Sequence, residues 1–263
     1  MLTDMLPLGS CAAVIGLVIG SFLNVVIWRV PRGESVVRPP SACPSCGNQI
    51  RNRDNVPVVG WLLLRGKCRD CSNPISARYP AVELGTAVLF VAMALRFGYD
   101  AALPAFLYLA AVGLALALID LDTKRLPDAL TLPSYGVAVV LLGGAALLGS
   151  DSGSFLRALL GCALWFGLYF ALVFAYPAGM GFGDVKLAGV LGLYAGWLGW
   201  GALAVGIFLG FLLGGIFGIG LMLAKRGGRK TAVPFGPFML SGALIAVLAG
   251  NAMAGAYLRL SGI

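Results

Sequence analysis

The chain has 263 residues, of which 59% are hydrophobic and 11% charged, and its mean hydropathy is +0.92. That balance excludes a soluble globular domain and leaves an all-α polytopic membrane protein. The absence of histidine removes serine triads, HExxH zinc proteases, His-ligated haem and His proton relays. The net charge of +8 sits mainly in loops between apolar segments, so it reflects membrane topology and no nucleic-acid partner is expected.

Apolar stretches of roughly 17 to 25 residues predict eight transmembrane helices, at about 6–28, 80–97, 102–120, 132–149, 155–176, 185–199, 201–224 and 234–258. The sixth is short and meets the seventh at a Gly/Trp-rich turn. The start, Met1-Leu-Thr-Asp-Met5, lacks a basic region and its apolar stretch runs straight into a basic loop. The first helix is therefore expected to remain rather than to be cleaved as a signal peptide.

This divides the chain into a first transmembrane helix (1–28), a small insert (29–79) rich in Arg, Pro, Cys, Asn and Ser, and a transmembrane core (80–263). Placing the insert in the cytoplasm puts loops 122–131, 177–184 and 225–233 on the same side. Those segments carry 15 of the 19 basic residues and Lys186 lies just past the third of the four, leaving Arg96, Arg157 and Arg259 towards the other side. The asymmetry satisfies the positive-inside rule with both termini outside.

Within the insert, Cys43-Pro-Ser-Cys46 and Cys68-Arg-Asp-Cys71 are two CxxC pairs with 21 residues between them. This is the spacing of a tetrathiolate Zn²⁺ site built from two knuckles. A reducing cytoplasm disfavours a disulfide framework, and redox or loosely folded alternatives remain. Four thiolates leave no open position for water, so the metal would be structural and would supply much of the folding energy of a segment with little core. Cys11 and Cys162 lie in apolar spans and read as packing residues.

Two acids stand out in the core. Asp120 closes the apolar run Ala110–Ile119, and Asp184 follows Gly179-Met-Gly-Phe-Gly183 and opens another. Carboxylates at that depth are costly and usually functional. If the third and sixth spans meet, the pair can share a proton, one acid activating water and the other protonating a carbonyl, which is aspartyl proteolysis. Gly181 and Gly183 remove side chains beside Asp184 and let an extended substrate backbone approach. The plainer reading is a capping or snorkelling charge, with Asp184 placed to be an N-cap.

Asp122 and Asp128 share the loop Asp120-Leu-Asp-Thr-Lys-Arg-Leu-Pro-Asp128 and read as supporting or solvated. Glu83, in Tyr79-Pro-Ala-Val-Glu83, is expected to pair with Arg78 or Lys186, or to serve substrate binding. Gly210, Gly214 and Gly218 fall at four-residue spacing and predict close helix packing.

Together these segments resemble the type IV prepilin peptidases, the leader peptidases that also serve type II secretion pseudopilins. The likeness rests on Gly20-Ser-Phe-Leu-Asn24, the two CxxC pairs, Arg78-Tyr-Pro-Ala-Val-Glu83, Asp120 through Pro133, Gly179-Met-Gly-Phe-Gly-Asp184-Val-Lys186 and Pro234-Phe-Gly-Pro237. The resemblance implies that Asp120 and Asp184 are the catalytic pair of a GxGD-type intramembrane aspartyl protease, supported by Gly181, Gly183, Lys186 and Glu83. It further implies removal of a basic leader from prepilins at the cytoplasmic face of the bacterial inner membrane, then N-methylation of the new terminus with S-adenosylmethionine. The cysteine insert goes with that second activity in the family. No GxGxxG segment after a strand marks a methyl-donor site, so methylation rests on the resemblance and its residues are not placed.

Two other classes compete. A transporter or proton channel would favour internal repeats and charges near the bilayer midplane, and a non-catalytic zinc-stapled adaptor would explain the insert but not the GxGD segment.

Overall fold

The computed structural model describes residues 2–149, 151–177, 180–224 and 233–261. The expected basic loop at 225–233 lies almost wholly outside the described residues, as does Gly179 of the GxGD segment. The helices are α1 (Leu2–Arg29), α2 (Val59–Leu63), α3 (Arg78–Phe97), α4 (Leu103–Thr123), α5 (Asp128–Gly149), α6 (Ser152–Ala175), α7 (Phe182–Leu198), α8 (Trp200–Leu223) and α9 (Gly236–Leu260). Short 3₁₀ turns at Val30–Arg32 and Asn52–Asp54 and two isolated antiparallel bridges complete the described secondary structure.

Seven of these helices are long and apolar enough to cross a membrane, so the chain is a multi-pass membrane protein. The eighth long helix is α7, whose 17 residues span about 25 Å, a little short of a hydrocarbon core. It corresponds to the short sixth predicted span, but it begins at Phe182 rather than 185.

Helix ends follow local chemistry. Asp151 caps α6 by accepting from the Ser154 N–H at 3.0 Å. Gly199, at φ +141°, breaks α7 from α8 in a conformation that a side chain would resist. Pro237 occupies the first turn of α9, where its missing N–H is not needed.

The chain forms two compact units, residues 1–103 with 107–111, and residues 104–106 with 112–263. In the first, α1 packs on α3 at small residues. A Cβ on Gly16 would lie 2.6 Å from the Ala87 Cα, and one on Gly20 2.7 Å from the Glu83 Cα. Asn24 extends this seam by donating to the Tyr79 carbonyl at 3.2 Å. The Gly20-to-Asn24 segment is thus a helix-packing edge, with small residues letting backbones touch.

In the second unit α7 is the centre, packed by α5, α6, α8 and α9 and buried over most of its length. A Cβ on Gly161 of α6 would lie 2.6 Å from the Gly192 carbonyl oxygen, and one on Gly196 2.6 Å from that of Arg157. Arg157 donates to the Gly196 and Trp197 carbonyls at 2.9 Å, tying α6 to the C-terminal end of α7. The glycine row expected on α8 is only partly a seam. Gly210 faces Met239 and Tyr169 and Gly214 faces Phe235, but Gly218 has nothing within 4 Å of a Cβ, the contact with α9 at this level being made by Phe217 on Phe238.

Candidate active site and metal centre

Asp120 lies one turn before the end of α4, and Asp184 is the third residue of α7. Both are buried, with 5% and 9% of their surface exposed. Asp184 is not the N-cap. Gly181 takes that position, and the Asp184 carboxylate reaches back to accept the Gly181 N–H at 3.2 Å. Helix α7 starts three residues earlier than its apolar run because Phe182 and Gly183 adopt helical geometry ahead of it.

Asp120 accepts the Gly236 N–H at 3.0 Å. That amide is the first of α9, whose opening turn has no intrahelical acceptors for its N–H groups and carries the positive end of the helix dipole. Asp120 on α4 therefore caps α9 from outside, while Asp184 caps α7 from within. Each contact uses one carboxylate oxygen, and no protein donor reaches the second oxygen of either acid among the described residues.

The two acids converge through the connection between α4 and α5. Leu126 in that connection touches both Gly183, which precedes Asp184, and Gly236, which holds Asp120. Gly181 and Phe182 are exposed beside the buried Asp184, so the site is open along the glycine segment. This arrangement of two buried carboxylates, each fixed by a backbone N–H and reachable along side-chain-free backbone, can polarise a water and a carbonyl together.

Lys186 is clasped by Asp128, its Nζ lying 2.7 and 2.8 Å from the two carboxylate oxygens. Asp128, still 55% exposed, therefore ties the start of α5 to α7 as a supporting and solvated acid, and Lys186 is taken by Asp128 rather than by Glu83. The bland sequence pattern gave no signal for this, because Asp128 and Lys186 are 58 positions apart. Tyr135 adds a second tie by donating to the Lys186 carbonyl at 2.6 Å.

Glu83 belongs to the first unit. It is buried on α3 and accepts the Val58 N–H at 2.6 Å. Val58 sits at φ +61° in a tight turn closed by a 2.6 Å bond from Val59 N–H to the Pro57 carbonyl. A β-branched residue there is strained, and the hydrogen bond that its N–H donates to the buried acid offsets that strain.

In the insert the four thiols of Cys43, Cys46, Cys68 and Cys71 lie within 4.8 Å of one another. Two matching turns build the cluster. Cys43 N–H donates to Asn48 and Gly47 N–H to Cys43, while Cys68 N–H donates to Asn73 and Ser72 N–H to Cys68. Gly47 and Ser72 both take positive φ, at +76° and +60°. The Cys43 and Cys71 sulfurs are 3.8 Å apart, which is about the edge of a tetrahedron with Zn–S bonds of about 2.3 Å. The donor set therefore fits a tetrathiolate metal. Backbone N–H groups of Cys46 and Ser45 pull the Cys43 thiol down, while burial and the neighbouring thiols hold Cys46 and Cys71 up, so the four sulfurs become thiolates together only with a cation among them. Arg69, beside the second knuckle, forks onto Asp54 at 2.6 and 2.8 Å.

Two profiles match known families, the Bacterial Peptidase A24 N-terminal domain over residues 14–97 and the Type IV leader peptidase family over residues 106–219. A protein of Aeromonas hydrophila named prepilin leader peptidase/N-methyltransferase is 40% identical, covering 95% of this chain and 93% of its own. A protein of the same name from Pseudomonas aeruginosa is 34% identical over 96% of this chain and 94% of its own, and one from Burkholderia pseudomallei (strain 1026b) is 36% identical over 98% and 90%. No solved structure matches. With these relatives aligned almost end to end and both halves covered by the profiles, this multi-pass membrane chain belongs to the type IV leader peptidase family.

Proposed function

We propose that the protein hydrolyses the leader of type IV prepilins or type II secretion pseudopilins and then N-methylates the new terminus. The observation that carries the peptidase reading is the convergence of Asp120 and Asp184, each held by one backbone N–H with no protein donor on its other oxygen among the described residues. The family and the relatives' shared name support the same reading.

In this mechanism one aspartate, ionised, takes a proton from a water whose oxygen attacks the scissile carbonyl. The other, protonated, gives its proton to the carbonyl oxygen. Collapse of the tetrahedral species breaks the C–N bond as the proton on the first aspartate passes to the leaving amine and the second aspartate takes back a proton from a hydroxyl of the diol, which leaves a carboxyl product and restores both acids. Gly181 and Gly183 admit the extended substrate backbone. Lys186, through Asp128, keeps the first turn of α7 in place, and Glu83 holds the insert's turn at Val58.

S-adenosylmethionine, when bound, supplies a methyl group for the freed amine nitrogen. A structural Zn²⁺ held by Cys43, Cys46, Cys68 and Cys71 would supply much of the insert's folding energy. The basic residues of the insert and of the 122–131 loop support placing the insert and the aspartates at the cytoplasmic face of the inner membrane.

The test is mass spectrometry of a type IV prepilin incubated in liposomes with S-adenosylmethionine and wild type, Asp120→Asn or Asp184→Asn. Asparagine keeps an oxygen that can accept the Gly236 or Gly181 N–H, so both variants are expected to fold. Leader cleavage should fall by roughly 10²- to 10⁴-fold in each. The wild-type product should gain the mass of one methyl group. Cleavage that survives either substitution would move the site to other acids.

A further inference from the structure

Leu126 sits between two glycines that belong to different helices. On one side, a Cβ on Gly183 would lie 3.1 Å from Leu126 Cβ and 3.7 Å from its Cδ1. On the other, a Cβ on Gly236 would lie 3.3 Å from Leu126 Cδ2 and 2.9 Å from Asp120 Oδ2. Neither glycine has the positive φ that demands glycine for conformational reasons. Their missing side chains are explained by space, and Leu126 fills that space.

Gly183 directly precedes Asp184, and the Gly236 N–H is the donor to Asp120. One isobutyl group is therefore in contact with the first turns of both α7 and α9, the two turns that fix the carboxylates. Leu126 is only half-buried and lies in a non-helical connection, so it is not a member of a helix-packing face. Packed interiors transmit volume changes of a single methylene, and a spacer at this point acts on both acids at once.

We infer that Leu126 is a positioning residue whose side chain sets the separation of the α7 and α9 first turns, and through them the spacing of Asp120 and Asp184. The inference rests on the aspartyl mechanism proposed above. Its consequence is electrostatic as well as steric. Two acids sharing a proton titrate as a pair, and the gap between their two apparent pKa values shrinks as they move apart. The rate, which needs the singly protonated pair, then has a narrower bell-shaped dependence on pH.

The experiment measures kcat, KM and the pH–rate profile for cleavage of a type IV prepilin in phosphatidylglycerol liposomes, with melting temperature in parallel. Leu126→Ala should lower kcat roughly 10- to 100-fold, as a misplacement of about 1 Å does, leave KM little changed and narrow the bell. Leu126→Val keeps branched bulk at the γ position, which Ala lacks, but loses the Cδ1 near Gly183 and the Cδ2 beside Gly236, so it should fall between Ala and wild type. Leu126→Met, close in volume, should stay near wild type. Wild-type kcat and bell width in Leu126→Ala would overturn the inference, and so would a loss confined to KM, which marks a substrate contact instead. If Leu126→Ala loses its melting transition, the same criteria apply to Leu126→Val. Asp120→Asn and Asp184→Asn in the same assay separate the two claims, since cleavage surviving in those variants refutes the aspartyl reading whatever Leu126 does.

Discussion

At the scale of single residues, polar groups in the core differ in whether they are satisfied. Asp120 and Asp184 each have a backbone donor, whereas the buried Tyr169 hydroxyl has only the neighbouring Trp165 Nε1 near it and makes no hydrogen bond of full geometry among the described residues. The Tyr169 ring packs on Phe211 and Phe235, with centroids 5.2 and 6.3 Å away, so the ring has a role that the hydroxyl does not share. Tyr169→Phe keeps the ring and removes an unsatisfied group worth about 1–3 kcal/mol. It should therefore melt at or above the wild-type temperature, with prepilin cleavage unchanged. A lower melting temperature would mean that the hydroxyl is engaged after all. The acids themselves were legible in the sequence because a carboxylate in an apolar run is anomalous. Their partners were not. Gly236 contributes a backbone amide, which no side chain advertises, and Leu126 is a leucine among leucines.

At the scale of elements, α7 shows what a hydropathy pattern can and cannot carry. Its apolar run was readable, as was the break at Gly199, but its start at Phe182 was hidden because Gly181 to Asp184 read as a loop. The role of its glycines was hidden too, since contact requires knowing which helix lies opposite. The seam of Gly161 against Gly192 and Gly196 is closer than the α8 glycine row that spacing suggested. Gly192→Ala would place a methyl 2.8 Å from the Cys162 Cα, where backbone cannot yield cheaply. Destabilisation of roughly 1–3 kcal/mol is expected, read as a lower melting temperature in detergent. By contrast Gly218→Ala, with nothing nearby, should leave it unchanged. Equal melting temperatures for the two variants would show that α6 and α7 do not meet at this seam.

At the scale of the whole molecule, the soluble insert and the membrane helices depend on different forces, and that difference was visible in composition. Two CxxC pairs and a polar stretch with little core announced a four-thiol module that can hold a metal, while the Asp54–Arg69 pair inside it was not readable, because the two residues are 15 positions apart on either side of α2. Acid should dismantle the insert in two stages. Protons first compete with metal for the four thiolates. The second stage belongs to Asp54, whose carboxyl is held below its ordinary value of 3.8 by the hydrogen bonds and charge of Arg69. A depressed carboxylate stabilises the fold above its unfolded pKa, and that contribution disappears as pH falls through the lowered value. With the thiols emptied by a chelator, the insert of wild type should therefore keep a residual dependence of proteolytic resistance on pH below about 4. Asp54→Asn should lose that dependence and be cut more readily at neutral pH, while both proteins keep their membrane-helix circular dichroism. If chelation abolishes the membrane-helix signal as well, the insert and the bundle fold as one unit, and the metal is a requirement of the whole enzyme rather than of its insert.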